Sequence, residues 1–152
     1  LKDGKPGSIQ TLSSEFPVRH PRVIYGQGAF YIAAEHDYEN MLSRICLTRI
    51  LPNGSIDETI RISDHPAGNY HPSPALLPNG DVVVAYYSPR KGTQSWDMPR
   101  WVYLSLYDGR KVRHLEPLPG LDLSKDRTDQ SLEYPRLAVL FRMVWQADIN
   151  SG

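Results

Sequence analysis

Apolar residues in this chain come in short runs broken by turn residues. Val23–Tyr25 and Phe30–Ala34 flank Gly26-Gln27-Gly28, and Ala75–Leu77 and Val82–Tyr87 flank Pro78-Asn79-Gly80-Asp81. Two apolar runs joined by Asn-Gly are a strong hairpin signal, because both turn residues tolerate positive φ. A second kind of hairpin follows each of these. One copy is Arg44–Leu51, Asn53-Gly54, Ser55–Ile62, and the other is Trp101–Tyr107, Asp108-Gly109, Lys111–Leu118. The stretch WVYLSLY, from Trp101, alternates as a strand does. No window of fifteen residues keeps a 3.6-residue period free of a breaker, and the 11 Gly and 13 Pro are scattered rather than clustered. The expected fold is all-β.

The hairpins repeat. RHPRVIYGQGAFYIAAE, YHPSPALLPNGDVVVAYYSPR and EYPRLAVLFRMVWQAD share one phrase, and its prolines, Pro21, Pro72 and Pro135, lie 51 and 63 residues apart. Two hairpins per period of that size make a four-stranded antiparallel unit, the blade of a β-propeller. The innermost strand of a blade is usually buried on both faces, and PALL and VVVAYY are apolar enough to serve. The third phrase has no Gly, Asn or Asp where its turn belongs, and reads as a continuous strand or a shortened turn. At the other end, Gly7-Ser8-Ile9 echoes Gly54-Ser55-Ile56. The expectation is a single propeller segment over 1–152: a half blade at 1–15, blades at 16–65 and 66–120, and a half blade at 121–152. About three blade-equivalents fall short of the four to eight of a typical ring. The ring is therefore expected to close through a homo-oligomer or as part of a longer propeller chain.

Composition narrows the partners. Of 152 residues, 17 are basic and 17 acidic, so no net field selects nucleic acid or an anionic membrane. No apolar run approaches the ~20 residues of a membrane helix. The opening LKDGKPGSIQ has no signal-peptide core and no Met, which suggests a processed chain or a fragment. An extracellular or periplasmic location would follow if a signal peptide has been removed. Cys46 is the only cysteine and reads as a packed strand residue. Asn53-Gly54-Ser55 is a sequon in form and a turn in function.

HPSPALLPNGDVVVAYYSPR and YPRLAV…VWQAD resemble the blades of sialidase-like propellers, the bacterial neuraminidase repeat group, which includes exo-sialidases and propeller-fold polysaccharide lyases. The resemblance rests on hairpin grammar across most of the chain. It implies a carbohydrate-active protein, a glycoside hydrolase of sialidase-like type acting on an acidic glycan. The alternatives are a lyase on uronate-containing polysaccharide and a lectin-like binding propeller. The diagnostic box Ser-x-Asp-x-Gly-x-x-Trp is absent: Ser95-Trp96-Asp97-Met98-Pro99-Arg100-Trp101 lacks the Gly and one residue. No sialidase residue carries over by position.

In a propeller the starts of first strands and the ends of second strands meet on one face, so candidate chemistry is sought there. Glu35, His36, Tyr70 and His71 are the candidate catalytic residues, for proton transfer or a Tyr nucleophile helped by an acid. Arg22, Arg90, Trp96, Tyr134 and Arg136 are the candidate substrate-binding residues. Arginine grips a carboxylate through two parallel hydrogen bonds, and aromatic faces pack on sugar rings. Arg22 and Arg136 align with Ser73, which favours one central site over a site in each blade. The bland readings are that His20 and His71 satisfy backbone carbonyls before proline, that Arg22 and Arg136 make structural ion pairs, that EHDYEN is a solvated loop and that Trp101 is core. His36, Asp37, Asp64 and His65 lack a metal-ligand spacing, so no metal and no cofactor is expected.

Overall fold

A computed structural model describes residues 17–37, 42–64, 68–89 and 100–115. They form eight strands and, among the described residues, no helix: β1 (Val18–Gly26), β2 (Ala29–Asp37), β3 (Ser43–Ile50), β4 (Ile56–Arg61), β5 (Tyr70–Leu76), β6 (Val82–Pro89), β7 (Arg100–Tyr107) and β8 (Val112–Leu115). They make two four-stranded antiparallel sheets, β1-β2-β3-β4 and β5-β6-β7-β8, each a simple meander. The described residues are all-β, and every strand expected within them pairs with its sequence neighbour. The third phrase and the segment before residue 17 lie outside the described residues.

The turns show how the registers are set. Gln27 and Gly28 are both left-handed, with φ of 50° and 69°, so Gly26 pairs directly with Ala29 across a two-residue turn. That geometry matches the right-handed twist of the strands it joins. The two Pro-Asn-Gly turns work differently from the expectation that Asn and Gly both take positive φ. Only Gly54 and Gly80 are left-handed, and the Asn side chains fold back on the backbone instead. Asn53 Oδ1 accepts the Ser55 N–H at 3.0 Å, and Asn79 Oδ1 accepts the Asp81 N–H at 3.1 Å. Proline presets the first turn residue, and a single glycine then closes a three-residue loop.

The sheets stack face to face. Ala29, Tyr31, Ala33, Ile45 and Leu47 of the first sheet pack with Val82, Val84, Tyr86 and Tyr107 of the second in one core. β1 and β5 meet most extensively across the stack, and the Gln27 side chain covers Gly80 where their turns touch. Further out, the Tyr107 hydroxyl donates to Glu58 and His114 faces Asp64 at 3.6 Å. β6 is buried on both faces, because Val83 and Ala85 join Val102 and Leu104 in a second cluster on the far side. The doubly buried strand is thus VVVAYY. PALL lies largely on β5, a strand at the edge of its sheet, and is only half-buried.

The β7–β8 turn carries a pH-dependent anchor. Asp108 Oδ1 accepts the N–H groups of Arg110 and Lys111 at 3.0 and 2.9 Å. The bond from Lys111, opposed by desolvation and helped by that from Arg110, holds the carboxyl below its usual range. Lowering a pKa on folding adds stability above the unfolded value, and that stability is lost as pH falls through the folded one. Urea unfolding of Asp108→Asn should therefore show a smaller loss of stability between pH 5 and pH 2 than the parent chain, since the amide keeps the acceptor but does not titrate.

Candidate functional site

The site begins with a shared irregularity at the start of each sheet. Arg19 pairs with Glu35 and Arg22 with Ala33, so His20 and Pro21 together oppose a single residue of β2. Tyr70 pairs with Tyr87 and Ser73 with Ala85, so His71 and Pro72 do the same against β6. Proline has no N–H for the ladder, and a bulge removes the need for one. The residue before each proline absorbs the distortion. His20 and His71 both sit in the left-handed region, at φ of 49° and 50°. Such a backbone is sparsely populated for a side chain larger than glycine and costs on the order of 1–3 kcal/mol.

The two bulges aim both imidazoles into the junction between the sheets. Their ring centroids lie 4.3 Å apart. Glu35, on the core-facing side of β2 and 2% exposed, stands between them. Its Oε1 lies 2.9 Å from His20 Nδ1 and accepts the backbone N–H of His71 at 2.6 Å. The Nδ1 edge of the His20 ring is thereby fixed against the carboxyl group, and the ring's orientation in the junction is set. His71 stacks on Tyr87 at 5.2 Å, and Tyr87 in turn lies 5.5 Å from the Tyr70 ring. The Tyr70 hydroxyl packs against Gly68, whose lack of a side chain makes room for it.

A second carboxylate is fixed beside the first. Arg19 donates to Asp37 from Nε at 2.8 Å and also from Nη2, and the Ser43 hydroxyl donates to the other Asp37 oxygen at 2.7 Å. Burial pushes this carboxyl up, but the bonds from Arg19 and Ser43, with the Arg19 charge, hold it below its usual range. The Asp37 N–H donates to the Pro17 carbonyl. The approach to β5 is pinned to the same place: Asn69 donates to the Ser43 carbonyl through its backbone N–H and its side chain, and the Ser88 hydroxyl donates to the Gly68 carbonyl.

Three of the sequence-derived candidates meet here: Glu35 and His71 in direct contact, and Tyr70 through Tyr87. His36 does not. It follows Glu35 in a strand and so points to the opposite face of the sheet, where burial lowers its pKa. Arg22 is exposed, opposite Ala33 and on the same face as Glu35. Arg90, Trp96, Tyr134 and Arg136 lie outside the described residues, as does His65. His20 stands out in the sequence as a strand-start residue but is not among the candidate site residues, and Arg19 is not singled out. The available signal was the His-Pro pair at the same point of two phrases, with Arg19 just before it. His36 and Asp37, adjacent on β2, point to opposite faces of the sheet, and His65, named with them and Asp64 above, is outside the described residues. Among the described residues, the metal-capable side chains that converge are His20, Glu35 and His71, with ligand atoms all within 4.8 Å of one another. Comparison with protein-family models, curated proteins and solved structures gives no match.

Because one Glu35 oxygen joins both sheets, its substitutions should separate. Glu35→Ala leaves the part-buried His71 N–H without its acceptor and should cost about 1–3 kcal/mol. Glu35→Gln keeps an acceptor of the same shape and should cost less. Urea unfolding at neutral pH measures both, and equal losses would show that the bond to His71 is not what holds the junction.

Proposed function

We propose that this chain belongs to a carbohydrate-active β-propeller that acts on an acidic glycan, with eliminative cleavage beside a uronate as its reaction. The observation that carries the reading is the His20–Glu35 pair: an imidazole with an exposed edge, oriented by a buried carboxylate, at an end of the sheets where His71, Arg19 and Tyr87 also lie. A histidine oriented by a carboxylate is a ready general base. Nε2 of His20 removes the proton from C5 of the uronate. The C–H electrons form the C4–C5 double bond, the C4–O bond breaks, and the departing oxygen leaves as an alcohol after taking a proton from water. Arg22, exposed on the same face, offers the planar fork that pairs with the uronate carboxylate.

The sialidase-like hydrolase is less well served by this geometry. Most glycosidases flank the bond with two carboxyl groups, and sialidases use a tyrosine nucleophile. Here Glu35 is buried and bonded twice through one oxygen, Asp37 is held by Arg19 and Ser43, and the Tyr70 hydroxyl rests on Gly68. The test is incubation of the full chain with uronate polysaccharides and with sialylated glycans. Release of an unsaturated, ultraviolet-absorbing uronate is expected, with His20→Asn slower by about 100-fold or more. Cleavage without that chromophore favours hydrolysis, binding without cleavage favours a lectin, and no binding of acidic glycans overturns the proposal.

The propeller itself is supported by the repeat of packing. Phe30, Ile32 and Ala34 occupy on the first sheet the register positions of Val82, Val84 and Tyr86 on the second. The latter three are buried against the first sheet, whereas Phe30 is 41% exposed and its neighbours Val23 and Tyr25 are 61% and 60% exposed. A further sheet on that face would bury them as their counterparts are buried. We therefore expect the native particle to be larger than one 17.3 kDa chain. Light scattering that finds a stable, folded particle of that mass would refute ring closure between copies.

A further inference from the structure

We propose that His20, Glu35 and His71 form a binding site for a divalent transition-metal ion of the zinc class. The donor set is two imidazoles and one carboxylate, a combination that suits zinc and its neighbours rather than calcium or magnesium, which take oxygen ligands. The three ligand atoms already lie within 4.8 Å of one another. Bonds of about 2.0–2.1 Å in tetrahedral geometry place ligand atoms about 3.4 Å apart. Rotation of the side chains closes that gap, and His20, whose side chain is 45% exposed, has room to turn. Three protein ligands leave a fourth position open, as at zinc sites that bind water or substrate.

Two observations set this group apart from an ordinary consequence of the repeat. The His-Pro bulge occurs in both sheets, with both histidines in the left-handed region, yet their rings meet at one place rather than serving each sheet separately. The third member does not repeat: the register position of Glu35 on β2 is that of Tyr87 on β6. A carboxylate thus stands with both imidazoles at one point between the sheets, nearly out of solvent. Left-handed histidines before proline are costly conformations, and structures retain such strain where it positions functional groups.

Zinc binding does not depend on the reaction proposed above. It would bear on it, because an imidazole nitrogen that coordinates an ion has no lone pair left for a proton. The test is calorimetric titration of the metal-free full chain with zinc chloride. Binding of one zinc per chain is expected. His20→Asn and His71→Asn should each weaken it by more than about 100-fold, beyond the 10–100-fold typical of losing a group that only supports a ligand. Asparagine occupies the left-handed region readily, so these variants keep the bulges, and circular dichroism verifies the fold. His36→Asn, on the opposite face of β2, should leave zinc affinity unchanged. No stoichiometric zinc binding by the parent chain, or affinity retained in both bulge variants, overturns the proposal.

Discussion

One carboxylate oxygen holds the architecture of the junction together. Oε1 of Glu35 reaches the His20 ring in its own sheet and the His71 backbone in the next. Glu35 is nearly inaccessible to water, and a buried polar group is tolerated only where it is hydrogen-bonded. The two bulges supply that pairing. Each brings a histidine to the start of its sheet, and together they give the carboxylate an imidazole and a backbone N–H. The apolar core sets the distance between the sheets, and this polar contact fixes how their first strands align.

The bulges explain why proline is useful at these strand starts. A proline in a continuous ladder would leave an acceptor unmatched, so β1 and β5 each place theirs where two residues oppose one. The preceding histidine then adopts a backbone that an unbroken strand would not allow. Its side chain swings toward the neighbouring sheet and departs from simple alternation. The chemistry at the junction is therefore a consequence of local backbone irregularity. Regular strands on either side supply the rigidity that holds it.

The second carboxylate shows the contrast between holding and acting. Asp37 has its oxygens taken up by Arg19 and Ser43, and its N–H ties β2 back to Pro17. It braces the end of β2 and the start of β3. Glu35, two residues earlier on the same face, instead meets groups with proton and metal chemistry of their own. The difference lies in the partners, since the two carboxylates share a strand and a face.

The chain's own pattern determined the strands and their pairing. Short apolar runs, Asn-Gly and Asp-Gly turns and a period near 51 residues leave few ways to pair neighbours, because turn chemistry and side-chain alternation are local. The end of the sheets where His71 and Glu35 meet was legible for the same reason, as the start of one strand and the end of the next are neighbours in a hairpin. Local pattern could not decide which of Glu35 and His36 faces the core, because adjacent strand residues point opposite ways and either would fit the sequence. Nor could it show that His20 meets His71. That contact depends on the stacking of two sheets and on two bulges, and brings together residues from three strands whose spacing, 15 and 36 positions, carries no signature. Only the packing of one sheet on the other turned a repeated His-Pro into a shared site.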